Sequence, residues 1–170
     1  PRKDMSALLG DHGWLLERRP DLDPQLLSPF ADVEVHVHIQ HEPLGLGNAI
    51  ESALDSINGP FLVLLGDNIL LNHHTAPNDF TPSNASRQLV EHFQSNGLPC
   101  VGLLPVQPSE VSNYGVVRLD GQRILEICEK PSAEDAPSNL VMCGRYLFTS
   151  DAKTLLQKYD VATHGELQSI

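Results

Sequence analysis

The sequence predicts an α/β layered fold with a mixed, mainly parallel sheet and an inserted β-hairpin. Three observations carry that prediction. Apolar runs of strand length alternate with helix-like segments along most of the chain, the pattern of helices packed on a sheet. Residues 61–65 read FLVLL, a continuous apolar run stopped abruptly by Gly66 and Asp67, as expected of a parallel strand buried on both faces. Asp120-Gly121, between apolar stretches at 116–119 and 123–128, is a hairpin signal of the mirror-image turn type.

The elements follow in order. Residues 7–19 have helical character broken by Gly10 and Gly13, and Pro20, Pro24 and Pro29 mark an irregular connection. Residues 33–39 alternate, with Val33, Val35, Val37 and Ile39 on one face and Glu34, His36 and His38 on the other; this predicts a half-buried strand. A glycine turn leads into a helix over 48–57, ended by Gly59-Pro60. After the 61–65 strand, the polar, turn-rich residues 72–84 predict a loop. A helix over 86–95 closes at Asn96-Gly97, and a buried strand is expected over 99–106. Beyond the hairpin, 140–148 predicts another strand, and Ser150 is the expected N-cap of a helix over 151–158, with Asp151 in its first turn.

Composition narrows the class. A chain of 170 residues, 41% apolar, with no repeat or linker, is one domain or a piece of one. No run has the length of a membrane span, and nothing at the start has a signal-peptide pattern. A net charge of −11 argues against a nucleic-acid partner, since no basic stripe is available to displace counterions. An anionic nucleotide is still compatible, held by a metal ion and backbone amides. Cys100, Cys128 and Cys143 are widely spaced beside apolar residues, which reads as buried, reduced thiols and a cytoplasmic protein.

Two carboxylates stand out. Asp67 lies at the carboxyl end of a strand, where open α/β sheets bind ligands and where a carboxylate suits a divalent cation; the alternative is a simple Asp-Asn turn. Glu129 shares a face with Leu125 and Ile127, so a carboxylate is expected where apolar residues face inward, and there it needs hydrogen-bond partners. The alternative is the polar end of a hairpin before Pro131. His36, His38, His41 and the pair His73-His74 have no cysteine or carboxylate at zinc-site spacing, and read as solvated positions.

EPLGLGNAI, LLGDNIL, YGVV, EKP, APSNL, GRY and GELQ follow one another from Glu42 onward. In order and spacing they resemble the sugar-1-phosphate nucleotidyltransferases, above all the bacterial UTP–glucose-1-phosphate uridylyltransferases, with glucose-1-phosphate thymidylyltransferases as near relatives. The resemblance runs from about Val35 to the chain end; residues 1–32 match only loosely. It implies a Rossmann-like three-layer nucleotidyltransferase fold and transfer from UTP to glucose-1-phosphate, with Mg2+ as cofactor. It puts the metal on Asp67, with Asn68 close by, and the nucleotide against Gln40, Gly45 and Gly66. The amide of Gln40 suits the imide edge of uracil or thymine, and Gly45 allows close approach of a flat base. Gly47 reads equally well as part of a tight turn.

The same resemblance puts the sugar phosphate against Tyr114, Gly115, Glu129, Lys130, Asn139, Gly144 and Glu166. Lys130, which meets the phosphate, joins Asp67 as a catalytic residue. The sugar phosphate is its own nucleophile, so no serine or cysteine is needed, and no G-x-S-x-G elbow occurs. Tyr146 is expected in the core. Arg145 favours the uridylyl branch, as do EPLGLGNAI and APSNL, whereas LGDN leans to the thymidylyl branch.

The family's opening G-x-G-x-R loop and following P-K pair have no counterpart here, since Arg18-Arg19 follows no strand. The second metal-binding aspartate, expected beyond GELQ, is also missing. Residues 1–170 are therefore expected to be a partial catalytic domain, inactive alone, whose uncovered sheet edge favours self-association as a homo-oligomer. A non-catalytic sugar-nucleotide-binding or regulatory module of the same fold is the alternative.

Overall fold

A computed structural model describes residues 13–23, 33–76 and 79–156. The chain divides into two compact units, Pro1–His38 and Ile39–Ile170. In the first, helix α1 (Gly13–Arg18) sets the Arg18 guanidinium 5.8 Å from the Trp14 ring centroid, and Arg19 pairs with Asp21 at 2.9 Å. The alternating residues 33–39 form no strand, and Val33, Val35, Val37 and Ile39 are all exposed. Alternation says which face a strand would bury, but a strand also needs a ladder partner. None pairs with these residues among those described.

The second unit is organised around one strand, β7 (Leu140–Phe148). Strand β4 (Cys100–Pro105) runs along one edge of it, Cys100 opposite Leu147 and Pro105 opposite Leu140. The other edge is shared by β1 (Phe61–Leu64) and β5 (Gly115–Asp120), with Phe61 opposite Phe148 and Val116 opposite Val141. Strand β6 (Arg123–Glu129) completes the sheet by pairing with β5. Every ladder among the described residues is antiparallel, where a mainly parallel sheet was expected. Strands β1 and β4 do run in the same direction, but β7 lies between them and bonds to both.

Helices cover both faces of this sheet, giving the three layers expected. On one face Ile50 of α2 (Leu46–Glu51), Leu54 and Leu156 of α4 (Ala152–Leu156) form a buried cluster against Phe61, Val63 and Phe148. On the other face α3 (Ala85–Asn96) packs on β4 and β7, and the Cys100 thiol donates to the Leu89 carbonyl at 3.6 Å. A second cluster of Val111, Val116 and Val141 supports the hairpin.

Strand β1 is not buried on both faces. Leu62 is 36% and Leu64 54% exposed, because these side chains share the face of Leu147 and Arg145 and α3 covers β4 and β7. The helix expected over 48–57 is α2 followed by a separate 3₁₀ turn, Leu54–Ser56. The loop expected over 72–84 contains a hairpin, β2 (Leu71–Ala76) with β3 (Asp79–Pro82). All its residues are exposed, so burial imprinted no apolar alternation for the sequence to display. At α4 it is the Asp151 carbonyl, not that of Ser150, that accepts the first helical bond, from Leu155 N–H at 3.1 Å, so Asp151 is the N-cap. Cys143 is buried as expected, while Cys100 and Cys128 are half-buried.

Other expectations are met. β7 spans 140–148 and α3 ends at Gly97; the hairpin is present, but its turn is Gly121 (φ +58) with Gln122, one residue later than expected, because Asp120 pairs with Arg123. Gly97 has φ +71, and a Cβ added there would meet nothing within 4 Å. Gly97→Ala therefore isolates the left-handed backbone penalty, and should destabilise the protein by about 1–2 kcal/mol. A lower urea midpoint at unchanged m-value checks this; an unchanged midpoint means that the helix does not need that conformation.

Candidate functional site

Strand β1 ends where it does because β7 bends away from it. Gly144 has φ +68, and its carbonyl accepts the last sheet bond, from Leu65 N–H at 3.0 Å. The chain then turns: Asn68 N–H donates back to the Leu65 carbonyl at 3.3 Å, which puts Gly66 and Asp67 at the tip. Asp67 is exposed, and its Oδ1 accepts from Asn68 Nδ2 at 2.8 Å. A Cβ added to Gly66 would meet nothing within 4 Å, so the tip is open. Arg145 crosses the base of the turn, donating from Nη1 to the Leu65 and Gly144 carbonyls at 3.3 and 2.9 Å and from Nη2 to the Asn68 carbonyl at 2.6 Å.

A second group forms at the open end of the β5–β6 hairpin. Gly115 lies opposite Glu129, and Lys130 N–H donates to the Tyr114 carbonyl at 3.0 Å. Lys130 takes φ +48, the one positive value at a non-glycine among the described residues. Its ammonium is 3.8 Å from Glu129 Oε1, and the two side chains are 63% and 51% exposed. The expectation that Glu129 faces inward is thus corrected, because Leu125, on the same side of β6, is itself 48% exposed.

Gln40 and Gly45 form a third group. The Gln40 amide donates to the Gly45 carbonyl at 3.2 Å and to Asn48 Oδ1 at 2.9 Å, tying the glycine turn to the start of α2. Pairing with both groups of an imide edge therefore requires release of one of those donors. Asn139 stands apart: it exchanges bonds with Val106 at 3.0 and 3.2 Å and borders a shallow cleft of about 240 Å³ with Pro108, Val111 and Ala136. It immediately precedes β7, five residues before Gly144, about 16 Å at strand rise. Glu166 lies outside the described residues.

Tyr146 is half-buried and stacks on Phe148 at 6.1 Å. Burial pushes its hydroxyl pKa up, with Cys143 and Glu129 adding to the shift. Burial likewise pushes the Cys143 thiol up, against the opposing charge of Arg145, so it stays protonated and unreactive near neutrality.

Sequence reasoning overlooked two residues. Arg145 served only as a mark of branch, and Met142 was not singled out, yet a Cβ at Gly115 would lie 2.4 Å from the Met142 methyl. For Arg145 the signal was present: a guanidinium inside LVMCGRYLF needs acceptors wherever that strand is packed.

Among the described residues no group of three His, Cys, Asp or Glu side chains gathers. A cation at Asp67 would take its remaining ligands from water and phosphate oxygens, which is how magnesium is usually held. An exposed carboxylate at an open turn fits that requirement.

This is a three-layer α/β protein of the nucleotidyltransferase type, with an acidic turn at the carboxyl end of a strand and a Glu-Lys pair at a hairpin mouth. The chain belongs to the nucleotidyl transferase family, whose sequence pattern matches residues 15–169. It is 36% identical over 149 residues to the UTP–glucose-1-phosphate uridylyltransferase YngB of Bacillus subtilis, covering 84% of this chain and 47% of the relative. It is 32% identical over 154 residues to the UTP–glucose-1-phosphate uridylyltransferase of Streptococcus pneumoniae, covering 85% and 49%. The chain thus spans about half the length of these curated relatives. A crystal structure of a UDP-glucose pyrophosphorylase complexed with UDP-glucose superposes with a TM-score of 0.75 at 27% identity, covering 98% of this chain and 61% of the other.

Gly144 offers a test of the turn's construction. A Cβ there would lie 2.9 Å from Asn68 Nδ2 and 3.1 Å from Leu65 Cβ. Gly144→Ala combines a left-handed backbone penalty with a clash, so it should cost more than Gly97→Ala, about 2–4 kcal/mol. Urea denaturation of the two variants side by side checks the order, and equal losses would mean that the turn yields freely.

Proposed function

We propose that the protein carrying this chain transfers a uridylyl group from UTP to glucose-1-phosphate, releasing pyrophosphate and forming UDP-glucose, with Mg2+ as cofactor. The observation that carries this reading is the meeting of two groups on β7. The Asp67 turn borders Gly144, and the Gly115–Glu129 pair borders Met142, two residues or about 7 Å away along the strand. That separation suits a phosphate at one and a sugar at the other.

The chemistry needs little more than positioning and charge. An oxygen of the sugar phosphate attacks the α-phosphorus, a new P–O bond forms, and the bond to the bridging oxygen of the departing pyrophosphate breaks. Lys130 steadies the attacking phosphate, Glu129 and Tyr114 receive the sugar, and Gln40, Gly45 and Gly66 receive the nucleotide. Bound magnesium would neutralise the phosphate charge, with Asp67 as its protein ligand. Asn139 and Glu166 belong to the proposed sugar-proximal set by resemblance alone, since Asn139 is bonded to Val106 away from the Gly115–Glu129 pair. Three free cysteines fit the reducing cytoplasm as the place of action.

In the complete protein, Asp67→Asn should lower magnesium-dependent kcat by at least about 100-fold, the loss of several kcal/mol of charge stabilisation. Its circular dichroism should match that of the unaltered protein. Near-normal turnover at saturating magnesium would make Asp67 a turn residue only.

The nucleotide is tested separately. Gln40 reaches an edge shared by uracil and thymine, so discrimination must come from room for the thymine methyl and from the ribose 2′-hydroxyl. A methyl group is worth about 1–3 kcal/mol. The kcat/KM with glucose-1-phosphate should favour UTP over dTTP by about 10-fold or more, with measurable use of dTTP. A preference for dTTP would move the protein to the thymidylyl branch.

A further inference from the structure

We propose that Arg145 is a positioning residue that fixes the Asp67 turn by holding the carbonyls at both of its ends. The role rests on the reading of Asp67 as the metal ligand. Leu65 and Asn68 are the first and last residues of the turn, and their carbonyls receive Nη1 and Nη2 of one guanidinium at 3.3 and 2.6 Å. The third bond, to the Gly144 carbonyl at 2.9 Å, anchors the same group to the bend in β7. All three acceptors are main-chain oxygens.

No carboxylate lies within ion-pair distance of Arg145 among the described residues. Its hydrogen-bonding capacity goes to the turn instead. The stem is seated by Gly102 of β4, where an added Cβ would lie 3.2 Å from Arg145 Cβ. Strand pairing, with Leu64 opposite Arg145, fixes where the guanidinium emerges. A planar fork can bridge two carbonyls at once, whereas a lysine ammonium acts as a point donor. Asp67 then gains its orientation indirectly: the turn is held at both ends and its tip is left open.

Arg145→Met and Arg145→Lys in the complete protein decide the matter. Hydrogen exchange over residues 65–68 should accelerate about 10-fold or more in Arg145→Met, with protection along β7 retained. Mn2+ affinity, read by electron paramagnetic resonance with the metal alone, should weaken about 10–100-fold, as for other groups that orient a metal ligand. The metal activation constant should rise in parallel while KM for glucose-1-phosphate holds, and Arg145→Lys should recover part of each effect. Unchanged exchange at 65–68 overturns the proposal, as does uniform loss of protection along β7, which marks a general structural role. If the unaltered protein releases no pyrophosphate from UTP and glucose-1-phosphate, the functional reading fails, and the exchange measurement still decides Arg145.

Discussion

Strand β7 is bonded along both edges, and its one positive φ, +68 at Gly144, sets the position of the acidic turn. A regular strand would carry β1 onward in register and bury Asp67 in a ladder. Instead the Gly144 carbonyl takes one last bond from Leu65 N–H and the chain of β1 leaves the sheet. A side chain at 144 would strike Asn68 and Leu65, so the missing Cβ matters for space as well as for backbone angle. Gly144 then sits against the acidic turn while Met142 sits against Gly115, so the separation of the two groups is set by the rise of one strand.

The sequence disclosed what burial writes into it. The run LVMCGRYLF and the helix over Ala85–Asn96 were legible because packing requires apolar residues at defined periods. The β2–β3 hairpin was illegible for the converse reason, since exposed strands leave no such period. Residues 33–39 had the pattern without the partner, and alternation alone cannot tell a paired strand from an unpaired one. The site divides in the same way. Asp67 was legible as the abrupt end of an apolar run, whereas the inward-facing Glu129 was inferred from alternation and proves to be half exposed. Arg145 acts through main-chain carbonyls, and such contacts carry no residue-level signature beyond the oddity of the charge itself.

A chain of net charge −11 repels anions at long range, and under the proposed function local geometry has to offset that penalty. At ionic strengths near 0.15 M that penalty is screened beyond about 8 Å, so the groups within that radius of the phosphate decide the outcome. On the proposed reading these are Lys130 and a magnesium ion at Asp67. The acidic surface elsewhere matters mainly for solubility and encounter rate.

Lys130 illustrates how such a group stays available. Its backbone is fixed twice, by φ +48 and by the bond from its N–H to the Tyr114 carbonyl, and a positive φ at a non-glycine persists only when the surroundings enforce it. Its side chain is the opposite case, 63% exposed and 3.8 Å from Glu129. An exposed pair of that kind contributes at most about 1 kcal/mol, so moving the ammonium to a phosphate costs little. An ammonium locked in a buried ion pair would have to break that pair first, at a cost of several kcal/mol. Holding the backbone firmly and the charge loosely suits Lys130 to the role proposed for it, in which the ammonium follows a phosphate from ground state to transition state.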